Sequence, residues 1–249
     1  MAYMRDLLIQ AGLTLRDGKI EIPFWCKRVK IDVGLSYNAP QASHWIASDP
    51  NLIVFGFEPV KENLIKLKHK FYQHYADETQ IGQREQFFII PVALGKVFEP
   101  ELTNMWVTEN DTGCSSTLAP KVFKVKNTQI VPLFSLAHFL EFFPFDSIPF
   151  IDHIKTDVQG TDVDVVRGIG RFLPKVLAIT SEIESRQYVD SGNKRHYIEK
   201  ILKKDSFVRL ESRSAQDLKL ISYVEDPTWI NARKYRDTKR RDLYLFQKG

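Results

Sequence analysis

Short apolar runs alternate along the chain with stretches of helical period. VKIDV (29–33), LIVFGFE (52–58), FFIIPVAL (87–94), FIDHIKTDV (150–158) and VLAITSEIE (176–184) each read as a strand. The second is apolar at almost every position, as a strand buried on both faces must be. The segments between them follow the other period. After Pro59, Val60, Leu64, Leu67, Phe71 and Tyr75 recur at spacings of three and four, which predicts a long amphipathic helix. Further helices are predicted over about residues 3–12, 40–48, 133–143, 162–172 and 194–204, with a short extended stretch at 19–25. Residues 96–128, which include NDTGCSST, lack a strong period and read as a loop-rich region. Strands separated by helices predict a parallel sheet covered by helices. The β-rich runs FVRLES (207–212), LKLISYV (218–224) and DLYLF (242–246) predict an antiparallel ending, with DLYLF as the last strand.

Composition narrows the class only a little. The chain has 249 residues, 43% hydrophobic and 27% charged, the balance of an ordinary soluble domain. No run approaches the ~20 apolar residues of a membrane span. MAYMRDLLIQAG has an early acid and no small-residue cleavage site, so it does not read as a signal peptide, and a cytoplasmic setting is expected. Cys26 and Cys114 cannot build a disulfide framework and lie in no paired Cys/His spacing, so a zinc site has no support. The net charge of +4 is concentrated in RKYRDTKRR (233–241), which has six basic residues and one acid. Such a run reads first as a solvated segment and second as a nucleic-acid or phosphate contact.

Two groups of residues carry candidate chemistry. Asp32 ends the first core strand and Glu58 the second, one strand–helix–strand step apart, so both face the crevice at the strands' carboxyl ends. A carboxylate at the second position accepts hydrogen bonds from a ribose diol and repels a 2′-phosphate. The turn VKIDVGLSYNAP has Gly34 alone where a dinucleotide turn needs three glycines for its pyrophosphate. A nucleoside ligand without phosphates fits better, and S-adenosylmethionine is the obvious one. Asp32 would counter its positive charge, Gly34 would allow close approach, and Ser36 lies in the same turn. Asn38 would take the positive φ and cap the helix opened by Pro40.

The second group is IDHIKTDVQGTDVDVVRGI (151–169). Lys155 and Asp157 share one face of a strand end, while Asp157, Gln159 and Asp162 bracket Gly160. Glu182 ends the fifth strand and faces the same crevice. Clustered carboxylates suit a general base or a metal ligand. The plain structural alternatives are a Lys155–Asp157 ion pair, Asp162 as a helix N-cap, and His153 as a packed residue.

The segments KIDVGLSYNAP, VFGFEP, PVALG, GCSST, IDHIKTDVQGTDVDVVRGI and SEIE, in this order, resemble the FkbM-type S-adenosylmethionine-dependent methyltransferases. The most specific element is Lys155, Asp157, Gln159, Gly160 and Asp162, with Gln159 replacing the commoner Glu. The resemblance implies a class I, Rossmann-like α/β methyltransferase with a mostly parallel seven-stranded sheet, an antiparallel last strand and helices on both faces. It implies one domain over 1–249: a leader (1–28), a cofactor-binding core (29–212), and an insertion with the closing strand (213–249). It places Asp32, Gly34, Ser36 and Asn38 in the cofactor loop, Glu58 at the ribose, and Ala93 and Leu94 at the adenine.

The implied chemistry is O-methylation of a hydroxyl on a sugar, glycoconjugate or small metabolite. Asp157 is then the base or a metal-ligating carboxylate, with Lys155 and Glu182 shaping the acceptor site; a divalent metal is allowed there but unsupported. Ser115, Ser116, Gln159 and Trp229 are the candidate acceptor contacts. No membrane partner is expected. Aromatics interleaved with the basic run keep an RNA ribose 2′-O-methyltransferase as the rival. A non-catalytic adenosyl-binding protein and an NAD-dependent oxidoreductase rank lower.

Overall fold

A computed structural model describes residues 2–72, 86–183, 186–210 and 226–237. The chain opens with α1 (Ala2–Gln10), which buries Met4, Leu7 and Leu8. A small hairpin follows, β1 (Leu15–Arg16) and β2 (Lys19–Ile20). The alternating part is β3 (Arg28–Val33), α2 (Pro40–Ser48), β4 (Leu52–Phe57), α3 (Lys61–Tyr72) and β5 (Phe87–Ile90). Then come β6 (Ala93–Gly95), β7 (Glu101–Thr108), β8 (Val125–Ser135) and α4 (Leu136–Leu140). The second half holds β9 (His153–Thr156), α5 (Asp162–Gly168), β10 (Ala178–Ser181), α6 (Arg195–Leu202), β11 (Phe207–Leu210), β12 (Thr228–Asn231) and α7 (Ala232–Asp237).

Seven strands form the main sheet in the order β11-β12-β10-β9-β3-β4-β5. All pairs from β5 to β10 are parallel, and β12 is antiparallel to both β10 and β11. The chain builds outward from β3 through β4 to β5, then returns to the other side of β3 to lay down β9 and β10. The strand order therefore reverses between β3 and β9, where an open α/β sheet forms its ligand crevice. Alternate residues of β4 serve two clusters. Ile53, Phe55 and Phe57 join Phe139 and Leu140 of α4, whereas Leu52 and Val54 join Trp45 of α2 and Leu67 of α3. Phe55 is fully buried with Phe139 5.0 Å away. Truncating such a ring costs about 3–5 kcal/mol.

Three expectations need correction. FFIIPVAL is two strands rather than one. Pro91 has no N–H for a ladder, Val92 N–H turns back to the Ile90 carbonyl (3.0 Å), and β6 leaves the main sheet to pair in parallel with β8. Residues 96–128 are not loop-rich throughout, because β7 and β8 form a long antiparallel pair across them. Their outward positions, such as Leu102, Asn104, Thr128 and Ile130, are exposed and mix apolar with polar residues, so no alternation signals the pair. The antiparallel strand inside the sheet is TWIN (228–231), within the segment expected as an insertion. The runs at 218–224 and 242–246, Tyr75 and the end of the basic run lie outside the described residues. Among those described, no helix is long and apolar enough to cross a membrane.

Candidate functional site

A cleft of about 470 Å³, its open mouth included, lies over the carboxyl ends of β3 and β4. Its floor is the turn after β3. Gly34 has φ +83, and its N–H donates to the Phe57 carbonyl at 3.0 Å. A Cβ there would stand 1.9 Å from the Asp157 carbonyl oxygen, so the missing side chain lets the first turn touch the exit of β9. Gly34 thus serves the fold, by letting these two backbones meet.

The rest of the turn departs from the sequence reading. Positive φ falls on Ser36 (57°) and Ala39 (41°), not on Asn38. Ala39 occupies the cap position of α2 with no side-chain cap bond, and Asn38 is exposed, offering its carbonyl to Lys70 Nζ at 2.6 Å. The missing acceptor for the first turn is Asp32, whose Oδ2 receives the Ala42 N–H at 3.0 Å. Asp32 is 1% exposed, with Oδ1 4.0 Å from Lys155 Nζ. Burial pushes its pKa up to about 6 against the pull of Lys155 and the Ala42 N–H. Its carboxylate anchors α2 behind the turn and does not face the cleft. Asp32 and Asn38 are therefore corrected as direct ligand contacts: the first is buried outside the cleft's lining with Oδ2 on the helix start, and the second is exposed away from it.

Glu58 stands at one end of the cleft, 3% exposed. Its Oε1 accepts the Val60 N–H (2.9 Å) and the Asn63 amide (3.2 Å), and the Ser36 backbone N–H supports the same carboxylate. Burial nevertheless outweighs these bonds and pushes Glu58 up to about 7. Asn63, buried on α3, also accepts the Thr112 hydroxyl (2.5 Å) and donates to the Thr112 carbonyl (3.3 Å). This ties the turn at 112–114 across the cleft to the carboxylate. The neighbouring wall is apolar: Val92, Ala93, Leu94 and Met105 line it. Ser115 lines it too, its hydroxyl accepting the Thr108 N–H at 3.2 Å. Ser116 turns away, donating to the Gln159 carbonyl (2.7 Å) and accepting the Leu118 N–H (3.0 Å). It is a brace, not an acceptor contact.

At the opposite end lie Asp157 and Val158 after β9; Lys155 and Gln159 bond to Asp157 and Glu182 bonds to Gln159, but none of these three lines the cleft. Lys155 is 3% exposed and pairs with Asp157 Oδ2 at 2.9 Å, while the Asp157 side chain keeps 27% exposure to the cleft. Gln159 Nε2 donates to Asp157 Oδ1 (2.7 Å) and to Glu182 Oε2 (3.3 Å). Burial alone would raise Asp157, but the Lys155 ammonium and the hydrogen bonds from Lys155, Gln159 and Glu182 hold it below its usual range. Burial, then Asp157, Asp162 and Asp226, push Glu182 up to about 10. Glu182 therefore keeps a proton at neutral pH and shares it with an ionised Asp157.

Asp162 is fully buried on α5, and Thr161, not Asp162, is the N-cap. Its oxygens accept the Val158 N–H (3.2 Å) and the Asn193 amide (2.9 Å), and burial followed by Asp157 pushes it up to about 7. His153 is packed at 0% exposure with Nε2 2.8 Å from Thr180 Oγ1. Burial, then Lys30 and Lys155, hold it well below the usual imidazole range. Trp229 is corrected outright. It sits mid-strand in β12 opposite Ile179, 2% exposed in the core, so it cannot meet an acceptor. Among the described residues, no group of three or more His, Cys, Asp or Glu is arranged to hold a metal ion.

The sequence reading missed Asn63, Thr112, Tyr188 and Asn193. Each is polar and nearly or fully buried, and each joins the site only through tertiary contacts. A seven-stranded, mostly parallel sheet with a cleft at its switch point defines an α/β protein built to hold a ligand at the carboxyl ends of its strands. The family model of the methyltransferase FkbM domain matches residues 32–213, most of the chain, and the chain belongs to that family of methyltransferases.

Among solved structures it is similar to the methyltransferase FkbM from Methylobacillus flagellatus KT, at 14% identity and TM-score 0.42. That match covers 88% of this chain and 47% of the other, so the chain spans about half that protein's length. It is also similar to an antibiotic-related methyltransferase, at 14% identity and TM-score 0.34, over 82% of this chain and 86% of that one. A presumed rRNA methylase from Clostridium thermocellum matches at 9% identity and TM-score 0.40, over 91% and 94%. No match was found among curated proteins.

Proposed function

We propose that the chain is an S-adenosylmethionine-dependent O-methyltransferase that acts on a hydroxyl of a sugar, glycoconjugate or small metabolite. One observation carries this reading: a cleft with two unlike ends, a buried Glu58 beside an apolar wall and a partly exposed Asp157 beside Gly34. The strand order, and the packing of α2 and α3 on one side of β4 with α4 on the other, support the class I arrangement within one domain.

The residues present fit the cofactor. The wall of Val92, Ala93, Leu94 and Met105 suits an adenine ring. A carboxylate has about four acceptor positions. Val60 and Asn63 both bond to Oε1, which leaves the carboxylate capacity for a ribose hydroxyl. The turn at Gly34 is too poor in glycine for a pyrophosphate and sufficient for an amino-acid tail. When bound, the cofactor supplies an electrophilic methyl group.

The chain's own task is then to hold the acceptor hydroxyl in line and to take its proton, and positioning accounts for much of the rate. Asp157 is the ionised group at the cleft with acceptor capacity to spare, braced by Lys155 and Gln159. An RNA ribose would bring phosphates against Asp157, Glu182 and Asp226, with Lys155 already engaged by Asp157, so an acceptor uncharged near the reacting hydroxyl is favoured. Binding to RNA that weakens steeply with salt would contradict that preference. Asp157→Asn is expected to abolish methyl transfer and leave cofactor affinity within a few-fold of wild type. Wild-type-like turnover in that variant would remove Asp157 from the mechanism.

A further inference from the structure

We infer that Gln159 is a positioning residue of the acceptor site: oriented by Tyr188 and braced by Ser116, its amide fixes the Asp157–Glu182 pair with the negative charge on Asp157. The inference rests on the role proposed for Asp157 and extends it to two residues with no contact to the reacting atoms.

The geometry over-determines Gln159. Its backbone lies in the left-handed region, φ 60, which side-chain-bearing residues enter only when surrounding contacts hold them there. The Ser116 hydroxyl donates to its carbonyl at 2.7 Å. The Tyr188 hydroxyl, from a residue 1% exposed, lies 2.7 Å from the amide oxygen and 2.8 Å from the Cys114 carbonyl. With Oε1 turned to that donor, both amide hydrogens face carboxyl groups, Asp157 Oδ1 at 2.7 Å and Glu182 Oε2 at 3.3 Å. The Tyr188 hydroxyl has one proton for two acceptors, so the orientation rests chiefly on Asp157: the reverse one would press the amide oxygen against an ionised carboxylate 2.7 Å away.

The two bonds are unequal, and their inequality decides where the charge rests. The short one goes to Asp157, on the same carboxyl that Lys155 grips through Oδ2. Glu182 receives the long one. Other groups bearing on Asp157 are Asp32 on β3, Glu58 after β4, Asp162 on α5, and Cys114 and Tyr188 from the connecting loops. Asp157, Asp162 and Asp226 bear on Glu182. Their surplus of negative charge requires one proton within the pair, and the unequal donors place it on Glu182. A glutamate at position 159 would add a third acid and remove the donor. The amide therefore reinforces the Lys155 ammonium, the largest pull on Asp157, in keeping Asp157 the ionised member.

The test is a carboxyl ¹³C NMR titration of the full chain, with the two signals assigned through Asp157→Asn and Glu182→Gln. In wild type, Asp157 is expected to titrate well below Glu182. Gln159→Met removes both donors and should raise the Asp157 midpoint by about one pH unit, the size expected for a lost hydrogen bond to a charged group. Tyr188→Phe, which removes only the orienting hydroxyl, should move it less and in the same direction. The acid limb of the pH–rate profile should follow the NMR midpoint in each variant. An Asp157 midpoint unmoved in both variants, or a Glu182 that titrates first, overturns the inference. Midpoints that move while the acid limb stays fixed uphold Gln159 as a positioning residue and overturn Asp157 as the reacting base.

Discussion

Replacing Gly34 by alanine adds one methyl group where the turn after β3 meets the exit of β9. The new Cβ would lie 1.9 Å from the Asp157 carbonyl oxygen and 2.8 Å from its carbon, an approach that real Cβ atoms do not make. The neighbour is backbone, so no side-chain rotation relieves the clash, and the overpacking cost falls near the upper end of ~1–3 kcal/mol. The left-handed φ of +83 adds about 1–2 kcal/mol for any residue with a Cβ. The sum is about 4 kcal/mol, or roughly 8–16 °C in Tm for a domain of this size. Gly12→Ala is the control, because Gly12 has φ +86 and nothing within 4 Å of the added atom. It should cost only the backbone part, roughly 2–8 °C. Thermal unfolding of both variants by circular dichroism separates the two contributions. The folded fraction of Gly34→Ala should also lose about 100-fold in methyl transfer, since an ångström of displacement at Asp157 disturbs in-line geometry. A Gly34→Ala variant that melts no lower than Gly12→Ala would refute the close-packing argument.

Glu58 is pushed up to about 7 by burial, and its ionised form is the better acceptor for a ribose hydroxyl, so cofactor affinity should rise between pH 6 and 8. Glu58→Gln should weaken binding by about 10- to 100-fold, the worth of a hydrogen bond to a charged group, and flatten that pH dependence in calorimetry. The cofactor-free chain should become less stable as pH rises from 5 to 7.5. Asp32, Glu58, Asp162 and Glu182 all have folded pKa values above their ordinary ones, so the folded chain holds protons that the unfolded chain has already released; the stabilisation from the first three is lost as pH climbs through about 6 to 7, and that from Glu182 keeps falling towards about 10. His153, held neutral by burial, opposes this trend below its ordinary value of 6.5, but four carboxyls outweigh one imidazole. A Tm that climbs steadily over that range would show that these acids are not protonated in the folded state.

The alternating part of the fold was legible because its strands are short, apolar and separated by segments of clear helical period. β3, β4 and α3 fall where the pattern places them, and the strand-terminal carboxylates follow from that placement. The pattern failed where burial is one-sided or pairing is remote. β7 and β8 expose mixed side chains, so no alternation marks them, and TWIN is a four-residue strand whose burial comes from neighbours far away in sequence.

In the turn, the reading put the bend on Asn38 from residue preference. The packed structure puts it on Ser36 and Ala39 and hands the helix cap to Asp32. Asn63 and Asn193 bond to Glu58 and Asp162 from 5 and 31 residues away, Thr112 and Tyr188 join them through Asn63 and Gln159, and single-chain spacing carries no trace of such contacts. The Lys155–Asp157 pair was legible, because two residues on one strand face are neighbours in any sheet.

The central claim is that this cleft takes a phosphate-free adenosyl cofactor, and isothermal titration of the chain with S-adenosylmethionine and S-adenosylhomocysteine tests it most directly. The account predicts saturable one-to-one binding of both, weakened in Glu58→Gln and retained in Asp157→Asn. Absence of binding by either ligand, or tighter binding of NAD than of both, would contradict it.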